Sequence, residues 1–166
     1  MSDGTGGPGA DRGWSRRPAL LVSACLLGVR CTHDGGHEAR PTVQALRGSH
    51  HLVPVCPETV GGLPTPRAAA ERSASDGRVR TADGVDVTEA YARGAAHAVR
   101  LAAAAGVVGA VLKARSPSCG CHQVYDGTFT RTRVDGDGVT AEALRRAGVP
   151  VVDEDDVAAG RLPGSS

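Results

Sequence analysis

Aromatic side chains are nearly missing from this chain, which carries one Trp, two Tyr and one Phe in 166 residues. So small a supply excludes a single-stranded nucleic-acid surface built from stacked rings. It also leads to the expectation that a base-like ligand is held mainly by other groups. Net charge is missing as well: the formal value is +1 with Lys and Arg scattered, so no concentrated basic face awaits a duplex. No apolar run is long enough to span a bilayer. The five cysteines are odd in number and follow no convincing secretory signal, which argues against a disulfide framework and for reduced thiols in a cytoplasmic protein. One segment mimics a lipoprotein signal, with Arg16-Arg17 ahead of Pro18 to Ala24 and Cys25 as the lipidated residue. Its apolar stretch is at the short limit for a signal core, and a first buried strand is the better reading.

Residues 1–17, rich in Gly, Ser, Asp and Arg, read as a disordered leader, residues 18–160 as one domain, and 161–166 as a tail. Within the domain, apolar runs alternate with helical segments. Ala19 to Ala24, Leu52 to Cys56, Val107 to Leu112 and Val149 to Val152 read as strands. Pro41 to Gly48, Thr88 to Ala105 and Thr140 to Ala147 read as helices, with Thr88 as N-cap and Gly106 as C-terminal stop of the longest. This order predicts an α/β protein, a three-layer Rossmann-like fold with a mostly parallel sheet and right-handed crossovers. Between Gly61 and Gly84, Pro64 and Pro66 mark an extended excursion, a lid or an edge hairpin.

Three cysteines stand just past apolar runs: Cys25, Cys56 and Cys119. On parallel strands those thiols converge at one sheet edge, where open α/β folds place ligands, and so form a candidate three-thiolate metal site. Pro57 after Cys56, and Pro117 and Gly120 around Cys119, make the small rigid turns that such a site needs. Cys31 and Cys121 are read as small buried hydrophobes. Lys113 is the only lysine beside 18 arginines, which raises a need for a compact ammonium against the alternative of a solvated strand end. Arg67 is expected to pair with Glu58 or another carboxylate, and His33, Asp34 and His37 to be loop residues.

Several motifs run in order from Pro18 to Glu154: Ser-Ala-Cys25-Leu-Leu-Gly28, Pro54-Val-Cys56-Pro57-Glu58, Gly61-Gly62-Leu63-Pro64-Thr65-Pro66-Arg67, Lys113-Ala-Arg-Ser116-Pro117-Ser118-Cys119-Gly120 and Tyr125-Asp126-Gly127-Thr128-Phe129. In these the chain resembles a bacterial family long known as a domain of unknown function, whose characterised members are thiouracil desulfurases. The resemblance implies a [4Fe-4S] cluster on Cys25, Cys56 and Cys119 with one iron free of protein ligands, acting as a Lewis acid. It further implies a small thiolated heterocycle as substrate. The thiocarbonyl sulfur meets the open iron, water adds at carbon, and sulfur leaves as hydrosulfide without net electron transfer. Glu58 is the implied proton-transfer group and Ser116 a group that bonds substrate or water. Neither a membrane nor a nucleic acid enters as partner. Two rivals use other residues: a thiol-redox pair of Cys119 and Cys121, and a structural zinc on Cys56, Cys119, Cys121 and His122. A dinucleotide-binding reading fails because no Gly-x-Gly-x-x-Gly follows the first strand.

Overall fold

A computed structural model describes residues 17–164, so the expected leader lies outside the described residues except for Arg17. Four strands, β1 (Ala19–Ser23), β2 (His51–Val55), β5 (Gly109–Leu112) and β8 (Val151–Asp153), form one sheet in the order β2-β1-β5-β8. Every pair in it is parallel. Side chains alternate between two buried faces. Leu21, Ala110 and Leu112 pack with Ala98, Ala102 and Leu144 from helices α3 (Thr88–Ala105) and α4 (Val139–Arg146). Leu20, Val22 and Val111 pack on the other face with Val43 from α1 (Pro41–Gln44) and Val157 from α5 (Glu154–Ala158). The three layers are those expected.

Four details differ from expectation. Val87, not Thr88, is the N-cap of α3; the Thr88 N–H is met instead by Asp86 Oδ1 at 2.9 Å, while Thr88 Oγ1 accepts the Val79 N–H at 2.9 Å. The excursion holds a hairpin that is separate from the main sheet, β3 (Ala70–Arg72) against β4 (Val79–Thr81). A second ribbon, β6 (Gln123–Tyr125) with β7 (Arg133–Asp135), follows β5 where no strand was expected. The proposed tail is packed at its start, with Leu162 against the second core cluster and Pro163 buried.

Candidate active site

From β1 the chain enters a 3₁₀ turn, Ala24–Leu27, which carries Cys25 and closes on Gly28 at φ +95°, a conformation that favours glycine. Cys56 follows β2 in extended conformation and precedes α2 (Pro57–Val60), with Pro57 at the first helical position. Cys119 lies in the turn after β5, where Ser116 Oγ accepts the N–H groups of Ser118 and Cys119 at 3.1 and 3.0 Å. Cys119 belongs to the core on one face of the sheet and Cys25 to the core on the other, so the two thiols come from opposite layers. The connection after β1 runs to β2 on one side and the connection after β2 crosses back over β1 to β5 on the other, which makes the β1/β5 boundary the topological switch point. A cavity of about 470 Å³ there is lined by Cys25, Cys56, Cys119, Glu58 and Ser116 together.

Cys31, read from sequence as a buried hydrophobe, lines the same cavity. Its thiol lies beside those of Cys25 and Cys56. The Cys25 contact and burial push it up to about 11 against a lowering influence from Cys56. Cys56 is pushed up by Cys31 and by burial, and its Sγ donates to the Cys31 carbonyl at 3.7 Å. Burial pushes Cys119 up to about 12. All five cysteines are free thiols, and four of them border one cavity, a soft donor set that fits an iron–sulfur cluster. The signal for Cys31 was its position six residues past Cys25, beyond a glycine that turns the chain back.

The expected ion pair is present: Arg67 Nε donates to Glu58 Oε2 at 2.5 Å, with both side chains largely buried. Arg67 Nη2 also donates to the Cys31 carbonyl at 2.7 Å, tying the carboxylate to the thiol loop. Tyr91, 2% exposed, lies beside Glu58, and burial and that carboxylate push its phenol upward. Close approach of α2 to α3 sets this arrangement. A Cβ on Gly94 would stand 1.9 Å from the Pro57 carbonyl oxygen, so only glycine lets Glu58 sit where it does.

Composition did not show where the few rings lie. Tyr91, Tyr125 and Phe129, three of the four aromatic residues in the chain, all line this cavity. Scarcity in composition therefore hid a local concentration, which suits a planar heterocycle. Glu71 of β3 fixes the 127–129 segment: its Oε1 accepts the Gly127 and Phe129 N–H groups, each at 3.1 Å, and holds Phe129 at φ +58°. His33, Asp34 and His37 also line the cavity.

The rival zinc set is split. Cys56 and Cys119 border the cavity, whereas Cys121 and His122 gather with Asp153 and Asp156, their ligand-type atoms within 4.8 Å of one another. That cluster is internally paired. Asp153 and Asp156 form the capping box of α5, His122 Nε2 is 2.6 Å from Asp156 Oδ2, and Arg161 Nη2 is 2.8 Å from Asp156 Oδ1.

Fold and site define a Rossmann-like α/β protein with a cysteine-rich cavity at its switch point. The chain belongs to the 2-thiouracil desulfurase family, whose model matches residues 20–156. It is 38% identical over 146 residues to "Uncharacterized protein YbbK" of Bacillus subtilis (strain 168), covering 83% of this chain and 97% of that protein. It is also similar to the solved structure of the [4Fe-4S]-dependent thiouracil desulfidase TudS, with a TM-score of 0.77 and 40% identity across 86% of this chain and 95% of that one. Among the described residues, no helix is long and apolar enough to cross a membrane.

Proposed function

We propose that this protein hydrolyses the C=S bond of a thiouracil-like heterocycle, using a [4Fe-4S] cluster held by Cys25, Cys56 and Cys119. The observation that carries this reading is the meeting of those thiols with Glu58, Ser116 and three aromatic rings around one cavity at the switch point. The similarity to TudS supports the cofactor and the substrate class. When bound through three thiolates, such a cluster supplies a Lewis-acidic iron open to sulfur. The remaining work falls to the chain. Glu58, with Oε2 held by Arg67, takes a proton from the attacking water and returns it to the departing sulfur. Ser116 Oγ already accepts two backbone N–H groups, so its own hydroxyl proton is the one left to donate to water or substrate. Tyr125 and Phe129 hold the planar ring, and buried Tyr91 keeps bulk water from Glu58.

The balance is one thiocarbonyl and one water giving one carbonyl and one hydrogen sulfide, with no electrons exchanged. Reduced thiols fit a cytoplasmic setting. Anaerobic purification with iron and sulfide analysis, followed by incubation with 2-thiouracil, tests the proposal. Four irons per chain with uracil and hydrosulfide as products are expected. Zinc in place of iron, or an iron-loaded protein that leaves 2-thiouracil intact, overturns it.

A further inference from the structure

The only lysine in the chain sits at this cavity in a built position. Lys113 directly follows β5, and its backbone N–H donates to Ser23 Oγ at 2.9 Å, so it is tied to the last residue of β1 at the switch point. Its Nζ donates to the Ala114 carbonyl at 3.1 Å and lies 3.0 Å from Glu154 Oε1. The Glu154 side chain is 1% exposed, and its Oε2 accepts the Ala114 N–H at 2.7 Å. Oε1 is buried and makes no hydrogen bond of good geometry, so the lysine ammonium is the charge that compensates it. A carboxylate buried this deeply is costly unless it fixes a cation. An ammonium has three N–H donors. The Ala114 carbonyl accepts one, Glu154 Oε1 pairs with the charge without a well-directed hydrogen bond, and the ammonium keeps donor capacity toward the cavity that Lys113 lines. A guanidinium, planar and forked, would not fill the same compact place.

Resting on the hydrolytic reading above, we infer that Lys113 is a second catalytic residue, whose ammonium stabilises the negative charge gathering on sulfur as the C–S bond breaks, and that Glu154 positions it. The proton that completes hydrogen sulfide is still the one carried by Glu58, so the atom and charge balance is unchanged.

Because Lys113 is the only lysine, protein produced on ¹³C-lysine carries one labelled side chain. Its ε-methylene resonance is expected to shift or broaden when the cluster is loaded into cluster-free protein. An unmoved resonance overturns the placement, whether or not thiouracil proves to be a substrate. In the loaded enzyme, Lys113→Met is expected to keep four irons and lower kcat by about 10²-fold, the scale of losing one preorganised charge-stabilising donor. Lys113→Arg should fail to restore the rate. Glu154→Gln is expected to lower kcat by about tenfold, and to have no further effect in the Lys113→Met background, because it acts through the ammonium. Wild-type kcat in Lys113→Met overturns the catalytic role, and independent losses in the double variant overturn the positioning role. A wild-type enzyme that releases no hydrosulfide would fault the hydrolytic reading instead, leaving the resonance to decide where Lys113 sits.

Discussion

β1 and β5 bury Leu20, Leu21, Val22, Val111 and Leu112 with no solvent exposure on two faces, whereas the ribbons β3–β4 and β6–β7 place most of their side chains at partly or fully exposed positions. Each fully buried Val or Leu contributes roughly 1.5–3 kcal/mol. The β3–β4 ribbon carries ion pairs instead: Arg72 to Glu142 at 2.6 Å, Arg78 to Asp86 at 2.6 Å, and Arg80 to Asp76 at 2.7 Å. Both regions end at one cavity. The rigid sheet edge presents thiols, whose geometry a metal demands, and the lightly anchored ribbons present the rings that would grip a substrate. On the proposed reading, chemistry would be separated from substrate fit, and changes on the two sides should have different signatures.

The largest effect is expected at the sheet edge. Serine in place of Cys25, Cys56 or Cys119 should abolish cluster content, because a hydroxyl is a harder and less acidic ligand. Cys31→Ser, although beside two of those thiols, should retain four irons per chain. Iron analysis of the four variants checks the assignment, and iron lost only with Cys31→Ser would exchange a ligand.

Next comes Glu58→Gln, expected to keep the cluster and lower kcat by roughly 10²-fold or more, the usual scale for general acid–base groups. Steady-state hydrosulfide release measures it, and an unchanged rate would remove Glu58 from proton transfer. On the ribbon side, Phe129→Ala should raise KM about tenfold with little change in kcat, since base stacking on an aromatic ring is worth roughly 1–3 kcal/mol. A fall in kcat alone would instead make the ribbon part of the chemistry.

The smallest effect is an acid response at the β3–β4 ribbon. Hydrogen bonding from Arg80 holds Asp76 down at about 2, and Thr88 and Arg78 hold Asp86 below the usual carboxylate range. A carboxyl depressed in the folded state contributes stability that is present above its unfolded value of 3.8 and lost as pH falls through the folded one. Protection of the Val79 and Thr81 amides relative to their intrinsic exchange rates should therefore fall between about pH 4 and pH 2, before that of Leu21 and Val111. Simultaneous loss across all four amides would contradict the division.

Sequence disclosed the sheet because its strands are short apolar runs buried on both faces, a pattern visible without knowing the partners. That Cys25, Cys56 and Cys119 meet at one cavity was legible for the same reason, each standing past such a run. The ribbons were not, since strands such as Ala70–Arg72 and Arg133–Asp135 have no alternating apolar face and depend on partners far along the chain. Glu154 escaped notice because an acid in a terminal acidic run reads as solvated, and only the fold brings it to Lys113 across 41 positions. The gathering of Tyr91, Tyr125 and Phe129 was likewise invisible to composition, which counts rings without locating them.

The proposed hydrolysis needs no redox chemistry. Cluster-loaded protein held anaerobically with excess 2-thiouracil and no reductant should release many hydrosulfides per chain, one for each uracil formed. Release that stops after a single equivalent per chain, and resumes only when electrons are supplied, would contradict it.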